Sequence, residues 1–169
     1  MIDLNLKNYI ADAADFPRPG IVFRDISPLL REHFEATIDA LDALLSPEEW
    51  SRIELLAGIE SRGFVLGAAL AARRRKGFVL VRKQGKLPPP VVDAAYALEY
   101  GTGVLEMQPG SGRVLIVDDV LATGGTLTAA AGLCVRGGYQ VEGLAVLIDL
   151  RLTEAYAWRD MRPRAAITY

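Results

Sequence analysis

Short aliphatic runs alternate with stretches of helical spacing along most of the chain. The runs at residues 53–57, 78–81, 114–117 and 141–148 predict strands, and the four consecutive aliphatic residues at 114–117 suit a strand buried on both faces of a sheet. Residues 34–45, 63–73 and 127–135 predict helices. This alternation predicts an α/β fold with a central, mostly parallel sheet flanked by helices.

The remaining segments have different patterns. Residues 4–14 predict a short helix that the following Pro-Arg-Pro-Gly would end, and residues 22–26 are expected to be extended. Residues 84–94 contain three consecutive prolines and predict an exposed, flexible loop. Residues 96–106 predict a hairpin that turns at Gly101-Thr102-Gly103. With 169 residues, 51% of them hydrophobic, the chain has the length of one domain.

Charge and composition narrow the class of partner. The formal net charge of −2 indicates no basic surface that would bind nucleic acid or an anionic membrane. The four consecutive cations at 73–76 suit the carboxyl end of a helix, where the helix dipole is negative. Neither a membrane span nor a secretion signal is indicated. The single cysteine, Cys134, is expected to be a core residue of a helix in a reducing compartment. We therefore expect a cytoplasmic protein that binds small molecules.

The most informative segment follows the aliphatic run at 114–117. Asp118 and Asp119 end the predicted strand, and the turn Ala122-Thr123-Gly124-Gly125-Thr126 precedes the predicted helix. Glycines let the backbone approach an anion, and a helix start offers unpaired N–H groups, so the turn is typical of a phosphate site. Carboxylates accept hydrogen bonds from sugar hydroxyls or hold hydrated Mg²⁺, which favours a sugar phosphate with a metal. The alternative is an ordinary strand-turn-helix joint with a threonine cap.

Other motifs of phosphate and catalytic chemistry are missing from the sequence. It contains neither the Gly-Lys-Ser/Thr of a Walker A loop nor G-x-G-x-x-G, which disfavours P-loop kinases and dinucleotide enzymes. His33 is the only histidine and lies outside these segments. This disfavours zinc sites and hydrolase triads that depend on histidine.

Five segments together resemble one enzyme family. Residues 114–126 are similar to the phosphoribosyl pyrophosphate (PRPP) loop of the type I phosphoribosyltransferases. Four others, in family order, narrow the resemblance to the adenine-specific members: FPRPGIVFRDISPL (16–29), GIESRGF (58–64), VRKQGKLP (81–88) and YALEYG (96–101). The resemblance implies the type I phosphoribosyltransferase fold in a single domain, residues 1–169, with a small amino-terminal hood in residues 1–30 and a flexible loop and hairpin in residues 82–106.

The resemblance also implies a reaction. Members of this family convert adenine and PRPP to AMP and diphosphate in purine salvage, with Mg²⁺ bound chiefly to the sugar diphosphate. The resemblance further implies a homodimer, while the charge of the chain indicates no nucleic-acid or membrane partner. Asp118 and Asp119 are then expected to contact the ribose hydroxyls and the developing cation, and residues 122–126 the 5′-phosphate.

Four cations are expected to bind the diphosphate: Arg62, Arg82, Lys83 and Lys86. Judged without the family, the alternative for Arg62 is a surface cation, but a first helical turn disfavours cations, which favours a functional role. For the other three, a solvated charge run is the more usual interpretation.

The remaining roles concern the base. Glu99, which by itself would be a solvated strand carboxylate, is expected to manage the proton of the purine, and Tyr100 to help the loop close. Adenine is expected to contact Val22, Phe23 and Arg24, with Leu150 on the other side of the ring.

Two alternatives remain open. The base could be a 6-oxopurine, which differs from adenine mainly in what the pocket must donate or accept at position 6. The protein could also be a PRPP-sensing regulator, although a regulator would be expected to carry a nucleic-acid-binding module, for which the sequence offers no segment.

Overall fold

A computed structural model describes residues 5–98, 101–153 and 155–169 and divides the chain into two compact units, Met1–Ala40 and Leu41–Tyr169. The first unit contains a 3₁₀ turn, Leu6–Tyr9, followed by β1 (Ala11–Ala14), β2 (Val22–Asp25) and α1 (Ser27–Glu32). The boundary between the units falls within α2 (Phe34–Asp42).

The predicted helix over residues 4–14 is wrong beyond Tyr9. Residues 11–14 instead pair antiparallel with β2, from Ala11↔Asp25 to Ala14↔Val22. An ion pair between Asp12 and Arg24 joins the two strands. Pairing with a distant segment overrides the helix preference of this alanine-rich stretch, which local pattern cannot anticipate.

The second unit has the predicted α/β fold with a mostly parallel sheet. Its elements are α3 (Pro47–Arg52), β3 (Leu55–Ile59), α4 (Arg62–Arg74), β4 (Gly77–Lys83), β5 (Val92–Leu98), β6 (Gly101–Met107), β7 (Gly112–Leu121), α5 (Gly125–Arg136), β8 (Tyr139–Asp149) and β9 (Arg164–Thr168). Within the described residues the sheet order is β5-β6-β4-β3-β7-β8-β9. Strands β4, β3, β7, β8 and β9 run parallel, and β6 pairs antiparallel with both β4 and β5.

The core of this unit is built around β7, whose residues 114–117 are at most 1% exposed. Helix α4 lies on the sheet face that carries Gly58, Phe78 and Val117. Helix α5 contributes Leu127, Leu133 and Cys134 to the core of the other face. Burial raises the pKa of the Cys134 thiol to about 12, as expected for a core cysteine.

The predicted hairpin is confirmed, but its turn is not at residues 101–103. These residues belong to β6, where Gly103 pairs with Tyr96 of β5. A Cβ atom on Gly103 would lie 2.6 Å from the Tyr96 ring, so this glycine admits an aromatic ring rather than making a turn. Strand β9 was not predicted, and residues 92–94 of the predicted loop belong to β5. None of the described helices combines the length and apolar character needed to span a membrane.

Candidate functional site

The acid pair, Asp118 and Asp119, lies near the carboxyl end of β7, and each residue is only 7% exposed. Asp118 Oδ1 accepts a hydrogen bond from the Asp119 backbone N–H at 2.9 Å. Burial, followed by the negative charge of Asp119, raises the pKa of Asp118 well above its usual value. The strand therefore ends in two carboxylates that are costly to ionise together.

Arg62 supplies the compensating charge. Its Nε atom lies 2.5 Å from Oδ2 of Asp119. This contact is an ion pair without hydrogen-bond alignment, because the buried Oδ2 atom has no hydrogen-bond partner among the described residues. An oxygen in this state can accept a hydrogen bond from a sugar hydroxyl or from water on a metal.

The turn between β3 and α4 lies directly against the acid pair. A Cβ atom on Gly63 would be 3.0 Å from Asp118 Oδ1 and 3.0 Å from the Val117 carbonyl oxygen. Ser61 has φ +81° and makes no side-chain hydrogen bond to the start of α4. A non-glycine residue at such a φ costs about 1–3 kcal/mol, and such strain is concentrated at functional sites.

The predicted phosphate loop, residues 122–126, leads into α5. Gly124 has φ +87° and, being a glycine, offers no side chain to cap the start of the helix. A small cavity of about 60 Å³ is lined by residues 120–127. The loop thus presents uncapped helix N–H groups beside an acid pair, as the sequence predicts for a phosphate site.

Tyr156, which the sequence did not single out, covers this loop. A Cβ atom on Gly124 would lie 2.3 Å from the Tyr156 ring, and the Tyr156 hydroxyl is 2.8 Å from Thr128 Oγ1 in the first turn of α5. No sequence pattern marks Tyr156, because its contact with the loop depends on the course of the chain after β8.

The basic segment, residues 82–87, is held by carboxylates. Glu60 Oε2 accepts hydrogen bonds from Arg82 Nε at 3.1 Å and from the Lys83 N–H at 3.0 Å. Burial opposes ionisation of Glu60, but these two donors lower its pKa overall. The turn that carries Arg62 is therefore joined to the basic segment through Glu60.

The sequence did not single out two further residues, Tyr96, which senses the charge of the acid pair, and Glu106, which binds the basic segment. Burial, and then the charges of Asp118 and Glu60, raise the pKa of Tyr96 on β5. Glu106 on β6 is 3% exposed and accepts hydrogen bonds from the basic segment. Their place in a hairpin was predicted, but the pattern did not reveal which strand that hairpin joins.

The predicted base-binding residues fall in both units. Phe23 and Arg24 lie on β2 with Val22, and the Phe23 ring packs edge-to-face with Phe16 at 5.2 Å. Leu150 follows β8, and its N–H donates to the Leu121 carbonyl at 3.0 Å. Glu99 and Tyr100 lie outside the described residues, so their roles stay predictions.

A larger cavity, of about 420 Å³, lies elsewhere, toward the amino ends of β7 and β8. Its wall includes Arg164, which donates to Glu49 at 2.8 Å, and Arg52, which lies 3.6 Å from Glu142. These four charged side chains form two pairs, whereas the acid pair contains a buried oxygen, Asp119 Oδ2, that has no hydrogen-bond partner among the described residues. We therefore place the site at the smaller cavity.

Comparisons with known proteins identify the family. Residues 32–160 match the family model described as a phosphoribosyl transferase domain. The chain is 50% identical to the adenine phosphoribosyltransferase of Hydrogenovibrio crunogenus over 97% of this chain and 96% of that protein.

Two crystal structures show the same fold. The adenine phosphoribosyltransferase of Rhodothermus marinus superimposes with a TM-score of 0.83 at 42% identity, covering 97% of this chain and 96% of that one. The Saccharomyces cerevisiae enzyme, complexed with an imino-altritol bisphosphate and adenine, has a TM-score of 0.87 at 34% identity over 95% and 96% of the two chains.

Substituting Gly124 by alanine is expected to disturb the phosphate loop. The left-handed conformation costs a residue with a Cβ about 1–2 kcal/mol, and the Tyr156 ring must also move. We expect a lower unfolding midpoint and weaker binding of ribose 5-phosphate, measured by thermal melting and calorimetry. The double variant Gly124→Ala, Tyr156→Ala should recover part of the stability. Gly132→Ala, where a Cβ meets nothing within 4 Å, is the control, and a Gly124→Ala midpoint equal to the control's would contradict the account.

Replacing Asp118 by asparagine should stabilise the fold at neutral pH. The pKa of Asp118 is higher in the folded protein than the ordinary aspartate value of about 3.9 that applies to the unfolded chain. Above that value the unfolded chain releases the proton more readily, so the free energy of unfolding falls as pH rises. We expect the Tm of the variant at pH 8 to exceed that of the wild type by about 2–4 °C, the shift that a stability gain of about 1 kcal/mol produces in a chain of this size. This difference in Tm should shrink toward pH 4.5. Asp160→Asn, at an exposed position, is the control. A gain that is the same at every pH would refute this origin.

Proposed function

The chain belongs to the adenine phosphoribosyltransferases, and from that membership we propose that it transfers the phosphoribosyl group of PRPP to adenine, giving AMP and diphosphate in purine salvage. One observation carries the assignment to this site. The buried acid pair, with Arg62 against it, lies on the same strand-turn-helix segment as an uncapped phosphate loop.

Each charged group of the site has a part in this chemistry. The N–H groups of residues 122–126 would hold the 5′-phosphate, and Asp118 and Asp119 would accept hydrogen bonds from the ribose hydroxyls. Arg62, which stands at the strained β3–α4 turn, would bind the diphosphate through its planar fork of donors. The sugar would then lie with its anomeric carbon between anionic and cationic groups.

The transfer breaks the bond between the anomeric carbon and the diphosphate oxygen and forms a bond to N9 of adenine, with inversion. Positive charge develops on the ribose in the transition state, and the acid pair would stabilise it without reorganisation. The diphosphate would leave with the bonding electron pair toward Arg62, Arg82 and the two lysines. Glu99 would accept the proton that N9 loses.

We propose that Mg²⁺ enters with the substrate. Among the described residues no group of three or more His, Cys, Asp or Glu side chains could hold a metal by itself. Mg²⁺ is commonly bound through one or two carboxylates and substrate phosphates, and the buried Oδ2 of Asp119 fits a metal-bound water. The ion would neutralise charge on the departing diphosphate.

We propose adenine as the base because the matched relatives carry that specificity, and the S. cerevisiae structure contains adenine. Phe23 would offer its flat face, and the neighbouring backbone of Val22 and Arg24 would form the hydrogen bonds at the purine edge. We also propose a cytoplasmic location, supported by the lone buried thiol of Cys134.

We further propose a homodimer. Leu80, on a strand inside the sheet, is 39% exposed, and Val65 on α4 is 45% exposed. Large apolar side chains in such places are commonly covered by a partner. A second copy packed there would lie beside the basic segment, since Arg82 is two residues from Leu80 on β4.

The base assignment is tested by measuring diphosphate release from PRPP and Mg²⁺ with adenine, hypoxanthine, guanine or xanthine. Release with adenine alone is expected, and Asp119→Asn should lower kcat/KM while the circular dichroism spectrum is unchanged. Release only with an oxopurine would keep the reaction and change the base. Binding of PRPP without release for any base would indicate a regulator instead.

The homodimer is tested by sedimentation equilibrium. The wild-type protein is expected near twice the chain mass of 18.4 kDa. Leu80→Glu should shift it toward the monomer because a charge would be buried at the contact. Val135→Glu, at a position 40% exposed on α5, serves as the matched control and should leave the mass unchanged. A monomeric wild type, or a dimer that tolerates Leu80→Glu, would rule out this interface.

A further inference from the structure

Glu106 is a buried carboxylate that the basic segment surrounds. Its Oε2 atom accepts the Gly85 N–H at 2.9 Å, and its Oε1 atom accepts the N–H groups of Lys86 at 2.6 Å and Leu87 at 2.7 Å. Three successive backbone donors directed at one anion form the kind of concavity that usually binds an external phosphate. Here the protein fills it with its own side chain.

The position of Glu106 explains why this anchor is needed. It is the register partner of Arg82, and the described β4–β6 pairing contains only one further pair, Lys83↔Leu105. The Gln84 N–H then donates to the Val104 carbonyl at 3.0 Å, and the chain leaves the strand. From Gly85 to Leu87, Glu106 rather than the strand ladder holds the backbone.

The hydrogen bonds also keep Glu106 ionised. The N–H of Gly85, and then those of Leu87 and Lys86, lower the pKa of Glu106 against the effect of burial. Gly85 adopts φ +82°, and a Cβ atom there would meet nothing within 4 Å. A glycine at this position is therefore explained by the left-handed backbone conformation, which directs these N–H groups toward Glu106, and not by lack of space. The anion and the turn are therefore mutually dependent.

The same segment carries two exposed lysine side chains. Lys83 and Lys86 are exposed, and neither forms an ion pair with any described residue. Arg82, by contrast, is held by Glu60 and donates to the Lys86 carbonyl at 3.3 Å. A lysine on a fixed backbone loses less conformational freedom on binding an anion than a lysine on a free loop.

We propose that Glu106 is a positioning residue: it holds the backbone of residues 85–87 so that Lys83 and Lys86 meet the diphosphate group, and it does not touch the substrate itself. This inference rests on the proposed function, since it concerns the leaving group of that reaction.

The test uses Glu106→Gln, which preserves size, removes the charge and turns an amide NH₂ toward the three donors. Affinities for magnesium diphosphate and for AMP are measured by calorimetry. We expect diphosphate binding to weaken about tenfold, because charge-assisted bonds that order the cations are lost, while AMP binding stays within about twofold. Asp93→Asn removes the exposed carboxyl of the β5 residue paired with Glu106, and should change neither affinity.

Unchanged diphosphate affinity, or equal loss for both ligands, would overturn the positioning role. Should Glu106→Gln not fold, hydrogen exchange on the wild-type protein decides: protection of the Gly85, Lys86 and Leu87 amides is expected, and exchange at the rate of unstructured peptide would overturn the inference. Failure of the proposed function looks different, because the wild type would then release no diphosphate with any purine.

Discussion

Two adjacent carboxylates are buried near the end of the central strand, and the surrounding structure must compensate their charge. A buried carboxylate is strongly disfavoured unless it is paired or hydrogen-bonded. Arg62 pairs with Asp119, and the Asp119 N–H donates to Asp118, but burial and then the charge of Asp119 still raise the pKa of Asp118. The β3–α4 turn must therefore lie close to the end of β7, which brings a cation and a strained turn to the acid pair.

That closeness depends on small residues in α4 and β3. A Cβ atom on Gly58 would overlap the Phe78 ring at 2.5 Å, and one on Gly67 would lie 2.9 Å from the same ring. A Cβ atom on Gly63 would lie 3.0 Å from Asp118 Oδ1 of the acid pair itself. Because these three residues lack a Cβ atom, α4 packs close against the sheet. The start of the helix and its arginine therefore reach the strand end where ligands of parallel sheets bind.

The site also uses the protein's own carboxylates to organise its cations. Glu60 binds Arg82 and the Lys83 backbone, whereas Glu106 binds only backbone N–H groups of the basic segment. Both glutamates are buried or half-buried, whereas Lys83 and Lys86 are exposed. A cationic segment ordered in this way suits a leaving group that carries several negative charges, because less entropy is lost when it binds.

The sequence by itself determined the alternation of strands and helices in the second unit and the motifs at 114–126 and 58–64, because hydrophobic period and glycine-rich turns are local properties. It also indicated the family. Only the tertiary structure decided that residues 11–14 pair with β2, that Tyr156 covers Gly124, and that Glu106 anchors the basic segment. Each of these depends on contacts between segments far apart in the chain. A local sequence pattern reveals neither the entropy lost in bringing such segments together nor the packing energy gained.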